Sequence, residues 1–343
     1  MRCWPAPESA KSESPQRVVE RAMTKRYEPV DLSKLSTYSI RDRSHKFDVE
    51  AMAGLPAKGA TFSDWFEALP PYLGVNELRK LIDAIVAARR ADRPVVFAMG
   101  AHLVKVGCST ILCDLIERGI VTAVAMNGAT AIHDVEVATL GQTSEEVGDT
   151  IRDGSFGMVQ ETPSFFAEAI ARGVADKVGL GEAIANHLQA TNPPNIDKCL
   201  IATAGRKGIP ICVHVAMGTD TIHMHANVAD SDLQRLSSTD FKLVCAVVKD
   251  LAPASAGAAS GVWVNVGSSV IMPEVFLKAI AVARNLGANL DDVTTANLDM
   301  IRHYRPSQNV VGRPVKSGRG HHITGHHEIM LPLLRMALVE RLG

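Results

Sequence analysis

The chain has 343 residues, 46% hydrophobic and 21% charged, with a formal net charge of −1. That mix supports a large buried core and excludes a wholly disordered chain, and the lack of a long basic block excludes the electrostatic footprint of a nucleic-acid binder. No apolar run reaches the roughly 18 residues that would span a bilayer and the N-terminus carries no apolar signal core, so the expected location is cytoplasmic, with no membrane partner.

Residues 1–30 read as a loose tail: the first 22 are polar and rich in Pro and Ser, too poor in apolar surface to offset the entropy of ordering. Met23 is an alternative start. Residues 31–343 read as one α/β nucleotide-binding-type domain with an N-terminal arm, Asp31 to Leu55, and a C-terminal helix. Ser63-Asp64 can cap a helix that Pro70-Pro71 stops, and Val75 to Arg90 is amphipathic, with Leu78, Leu81, Ile82, Ile85 and Val86 on one face. Pro94 to Gly100 is a short apolar run ending in glycine, as a buried parallel strand does. A helix carrying Ile111, Leu112, Leu115 and Ile116 ends at Gly119 and leads to a strand at Val121–Met126. Several helices fill Glu145 to Leu188. Strand-like runs at 210–215, 261–266 and around 293–296 then alternate with helices at 233–251 and 273–286. This alternation predicts an α/β fold, a doubly wound and mostly parallel sheet with helices on both faces. The six cysteines are scattered with no CxxC pair and read as reduced core thiols; Cys108, near a helix start, is the nearest to an exception.

In such a sheet, ligands bind beyond the carboxyl ends of the strands. Four glycine-bearing clusters fall there: Gly100-Ala101-His102; Asn127-Gly128-Ala129-Thr130, with His133 and Asp134 behind; Gly218-Thr219-Asp220, with His223 and His225; and Gly267-Ser268-Ser269. Glycine near a helix start frees backbone amides for an anion, so an anionic ligand of nucleotide type is expected, although none is a Walker A loop or GxGxxG fingerprint. The turns at Asn127, Asp220 and Gly267 are expected to meet at one sheet edge and form one shared cavity. His223 and His225, or the four histidines between His321 and His327, either ligate a metal or hydrogen-bond in a pocket or loop. Thr324 and Glu328 are placed to cap the closing helix.

Several of these segments resemble the deoxyhypusine synthase family over roughly residues 90–320. Gly100 to Gly107 is similar to the family's strand-to-helix turn, Met126 to Asp134 to its cofactor-touching loop, Pro210 to Asp220 to a strand leading into a Thr-Asp pair, Asn265 to Ile271 to its Gly-Gly-Gly-Val-Val, and Thr295-Ala296-Asn297 to its Thr-Ala-Gln. The resemblance implies a Rossmann-type fold, NAD as cofactor, an amine or polyamine substrate and a homotetramer with cofactor at subunit contacts. It places Gly100, His102, Asn127, Gly128, Ala129, Gly267, Ser268 and Thr295 near NAD. An ungapped count from Thr295 puts Lys316 at the family's imine-forming lysine. Met272-Pro273-Glu274 stands where the family has Lys-His-His, and His133 replaces an acid, so an altered specificity is implied.

The expected function is thus an NAD-dependent aminoalkyl transferase of deoxyhypusine synthase type. Asp220 or Glu274 would hold a cationic substrate, His133 would move protons, and Lys316 would be the nucleophile. Two other readings are a metal-dependent hydrolase built on the histidine cluster and a non-catalytic ligand-binding protein on the same fold.

Overall fold

The computed structural model describes residues 27–343, and the chain divides into two units, Met1–Glu50 and Ala51–Gly343. The tail up to residue 26, the alternative start at Met23 and Cys3 lie outside the described residues. The first unit holds two single 3-10 turns, Leu32–Lys34 and Ile40–Asp42, started by the side chains of Asp31 and Ser39.

The second unit opens with helix α1 (Phe62–Glu67). Its cap is Thr61 rather than Ser63, because Thr61 and Asp64 exchange hydrogen bonds in a capping box. Helix α2 (Leu73–Arg90) buries the apolar face its spacing predicts. Strand β1 (Val95–Met99) leads through α3 (His102–Lys105) and α4 (Ser109–Glu117) to β2 (Ala123–Asn127). Helices α5 (Gly128–Leu140), α6 (Val147–Asp153), α7 (Glu161–Asp176), α8 (Leu180–Thr191) and α9 (Leu200–Arg206) precede β3 (Ile211–His214). Then come α10 (Asp230–Asp250), β4 (Val262–Val266), α11 (Ile271–Asn285), β5 (Thr294–Asp299), α12 (Tyr304–Pro306) running into a π turn at Ser307–Gly312, β6 (Gly320–Thr324) and α13 (His327–Leu342).

The six strands form one all-parallel sheet in the order β3-β2-β1-β4-β5-β6. The predicted doubly wound α/β architecture is therefore present, with the chain reversing direction across the sheet between β1 and β4. Alternation along β1 shows both faces covered. Val95, Phe97 and Met99 join a core with α2, α4, α5, α8, α9 and α13, while Val96 and Ala98 face α10 and α11, where Trp263 stacks on Phe276 at 4.3 Å. A strand buried on both sides reads as an uninterrupted apolar run, which is why VVFAM is legible.

The segment 320–324, expected as loop, is instead the edge strand β6. His321 is 4% exposed and lies 2.6 Å from Glu77 of α2, so a polar sequence is held in the sheet by a partner 244 positions away. Two buried aspartates tie helix starts to distant segments. Asp134 of α5 accepts from the amides of Leu200 and Ile201 and the thiol of Cys199 at the start of α9, and Asp240 of α10 accepts from Gly181 of α8 and Val213 of β3. All five described cysteines are free and buried. No helix among the described residues is long and apolar enough to cross a membrane.

Candidate functional site at the carboxyl edge

Strand register sets the turns after β1, β2 and β4 at one level, since Met99 lies beside both Met126 and Val266, and Asn127 beside His214. The predicted gathering of loops at one edge holds. Two close contacts draw these turns together. A Cβ on Gly128 would meet Asp220 Oδ2 at 2.1 Å, and one on Gly100 would meet the Gly267 carbonyl oxygen at 2.2 Å. A cavity of about 320 Å3 lies at the amino ends of β1 to β3, lined by Arg89, Arg93, Thr122 and Asp250 among others. Arg89 and Arg93 there donate to the carbonyls of Gly119, Arg93, Asp92 and Ala252, just beyond the carboxyl ends of α4, α2 and α10, where a cation is favoured.

The first turn of α5 is capped from within: Asn127 Oδ1 accepts from the Thr130 amide at 2.9 Å, and the Asp220 carboxylate lies over Gly128. Asn127, Gly128 and Ala129, where an anionic ligand was expected, thus stand beside a carboxylate of the chain itself. Asp220 is 7% exposed with Oδ2 unpartnered. Burial raises its carboxyl above the usual range, against the pull of His223, the Ala129 amide and His133.

The start of α4 is different. Its N-cap, Cys108, makes no side-chain capping bond, and Gly107 has φ +76° with open space around it. Ser109 is 6% exposed, and its Oγ is buried without a partner. The first amides of a helix have no intrahelical acceptor, and α4 is the second helix of the crossover after β1, reached through the short α3; a helix start is where an anion is best received. Burial, with the Glu328 charge added, raises the Cys108 thiol, so it is not a stabilised thiolate.

His327, at the start of α13, completes the arrangement. It is 1% exposed, both ring nitrogens lack partners, and its ring lies 5.7 Å from that of His102. Gly267, at φ +62°, makes room for it, since a Cβ there would meet His327 Nε2 at 2.6 Å. Burial lowers the His327 pKa, with Asp299 opposing, so the imidazole is held neutral with one donor and one acceptor. Ser268 caps α11 by accepting from the Met272 amide at 3.2 Å. Asn265 donates to the Ser268 carbonyl and to Asn297 Oδ1, leaving its own Oδ1 buried and unpartnered.

Not every expected residue reaches this edge. Thr295 is the second residue of β5, its hydroxyl donating to the Val310 carbonyl at 2.7 Å, roughly 13 Å short of the strand's carboxyl end. Lys316 lies before β6, paired with Asp291 and Asp292 at 3.5 and 3.7 Å at the amino end of the sheet. Replacing it by alanine is expected to leave ligand binding at the carboxyl edge unchanged, as titration calorimetry would register. Glu274 is at the edge but committed to Lys278, Arg305 and Asn309, the lysine doing most to hold its carboxyl below the usual range. His133 lies behind Asp220 with Nδ1 2.6 Å from Thr143 Oγ1.

The histidines do not converge either. His223 Nδ1 accepts from the Gly218 amide, His225 donates to the Gly157 carbonyl, His321 pairs with Glu77, and His327 lies over Gly267. Among the described residues no group of three or more His, Cys, Asp or Glu side chains is set to hold a metal ion. Thr324 accepts from Arg302, Glu328 pairs with His326, and the N-cap of α13 is His326, so the expected cap by Thr324 and Glu328 does not form.

Sheet order and edge together define a doubly wound α/β protein of Rossmann type, with its candidate ligand edge where β1 and β4 diverge. No protein-family model and no curated protein matches the chain. Among solved structures, unliganded AgrE is similar over 77% of this chain and 32% of its own, at 16% identity and a TM-score of 0.51. AgrE in its complex with ornithine and NAD+ gives 0.48. A LOR/SDH-type protein of Methanococcus maripaludis S2 is similar over 84% and 72% of the two chains, at 12% identity and 0.48. A protein assigned as a deoxyhypusine synthase of Entamoeba histolytica is similar over 82% and 94%, at 11% and 0.49. The chain thus spans about a third of the length of AgrE, and at such identity the likeness shows the fold alone.

Proposed function

We propose that the chain is an NAD-dependent enzyme acting on a small amine or polyamine, akin to deoxyhypusine synthase with a changed substrate. The observation that carries this reading is the uncapped start of α4, with Ser109 Oγ buried and unpartnered in the crossover after β1. These groups suit a pyrophosphate, which would be held by the Ser109 hydroxyl and the first amides of α4. When bound, NAD supplies the hydride acceptor for oxidation at a carbon–nitrogen bond.

The chain's own residues do the rest. Asp220 offers Oδ2, enclosed and without a partner, to the ammonium of an amine, and pairing with that cation restores its ionised form. His327, neutral at physiological pH, can take the ammonium proton at a ring nitrogen, which a protonated imidazole could not do. Asn265 Oδ1 is a second acceptor for an N–H donor. Since Lys316 lies at the far end of the sheet, this reading drops the covalent lysine adduct that the resemblance implies.

Titration of the full chain with NAD+ and NADH, with and without small diamines, tests the reading. Binding is expected, weakened roughly tenfold by Ser109→Ala, the loss of one hydrogen bond to a charged group, and strengthened by Glu328→Gln, which removes a nearby negative charge. Absence of binding by either nucleotide under all these conditions would sink it.

A further inference from the structure

Glu136 stands one turn beyond His133 on α5, and both of its carboxylate oxygens are taken by hydroxyls from other segments. Thr143 reaches back to it after the chain leaves α5 through a left-handed turn at Gly141, and Thr162, 8% exposed, comes from the first turn of α7. The Thr143 hydroxyl donates to Glu136 Oε2 at 2.5 Å and that of Thr162 to Oε1 at 3.0 Å. Burial opposes the charge, but His133 and these two hydroxyls hold the Glu136 carboxyl below the usual range, so at neutral pH it is ionised and only accepts.

The same bonds decide which nitrogen of His133 carries its proton. A threonine hydroxyl has one proton, and Thr143 spends it on Glu136, so Thr143 Oγ1 can only accept from His133 Nδ1, 2.6 Å away. In the neutral ring the proton therefore sits on Nδ1 and Nε2 is bare. Among the described residues none hydrogen-bonds that Nε2. We infer that Glu136 and Thr143 are positioning residues that fix His133 as a proton acceptor at Nε2, a second base beside His327. The ring lies within electrostatic reach of Asp220, whose carboxyl burial raises and His133 helps to draw back. An ammonium held by Asp220 gives its proton to Nε2, the N–H electron pair staying on the amine. The imidazolium so formed keeps its Nδ1 proton on Thr143 and faces the charge of Glu136 at 3.6 Å. That use rests on the proposed amine substrate; the tautomer does not.

Nitrogen-15 NMR of the full chain, labelled at histidine and recorded at neutral pH, tests the inference, with the His133 signals assigned by their loss in His133→Gln. The expected wild-type ring carries its proton on Nδ1 and none on Nε2. Thr143→Ser keeps the hydroxyl and is expected to keep that tautomer, whereas Thr143→Val is expected to move the proton to Nε2, the form that a free histidine ring favours. A wild-type ring protonated at Nε2, or a Thr143→Val ring unchanged from wild type, overturns the inference, and the wild-type measurement decides alone where the valine variant fails to fold. Diethyl pyrocarbonate, which acylates a bare ring nitrogen, is the second probe. His133 is the only histidine of the tryptic peptide Gly119–Arg152, and that peptide is expected to gain a carbethoxy group; an unmodified peptide overturns the inference equally. A bare Nε2 in a chain that binds neither nucleotide keeps this inference and sinks the proposed function alone.

Discussion

Gly100→Val is expected to cost about 3 kcal/mol or more of stability, the upper end of what overpacking costs, read as a fall in the urea midpoint at constant slope. The atoms a Cβ would strike are the Gly267 carbonyl at 2.2 and 2.8 Å and Ser268 Cα at 3.2 Å, all backbone, so no rotamer change relieves the clash. The amide of Gly100 meanwhile holds β1 to β4 by donating to the Val266 carbonyl at 2.9 Å. Yielding would part the two strands where the chain reverses direction, and would shift Gly267 under His327. Gly107→Ala is the contrasting case: φ is positive there but space is open, so only the left-handed backbone penalises it, by about 1–2 kcal/mol.

The second large effect is at Asp240, which is fully enclosed and whose carboxyl burial pushes up to about 7 from 3.8. A raised folded-state pKa means the native chain holds a proton that the unfolded chain has released. Its stabilisation is therefore complete below about pH 4 and is lost as pH rises through about 7. The difference in unfolding free energy between Asp240→Asn and wild type is expected to move by about 4 kcal/mol in favour of the variant between those limits, at 1.36 kcal/mol per pH unit. Asp240→Ala, which leaves the amides of Gly181 and Val213 without their acceptor, should follow the same pH trend but lie about 3 kcal/mol below Asp240→Asn at every pH, since neither variant titrates there. Denaturant titrations at several pH values separate the two.

What the sequence could show depended on whether the cause was local. Strands β1 to β4 are largely apolar runs that burial on both faces makes continuous, and α2 and α10 announce their buried sides by spacing. Strand β6 escaped because its residues are polar and its hold on the sheet comes through Glu77. Thr295 was misplaced for a related reason. Reading β5 as ending near residue 296 puts Thr295 at the ligand edge, whereas the strand runs to Asp299, and a slip of three residues is about 10 Å along a strand. Lys316 came from an ungapped count along the resembling family's sequence, which carries no information about the end of the sheet at which the lysine falls. His327 was visible only as one of several histidines, and Ser109 not at all, since an unpartnered hydroxyl is a property of its surroundings. The approach of Asp220 to the α5 start was equally hidden, because the carboxylate comes from 92 positions farther along the chain than Gly128.

Asp134 and Asp240 each fasten the beginning of one helix to a segment far away in the chain. Covalent continuity through the stretch between α5 and α7 is consequently not what keeps its two sides together. Severed there, the polypeptide would still be stitched across the cut by a carboxylate gripping the amides of α9, so that stretch is where this architecture could accept new termini or a grafted insert.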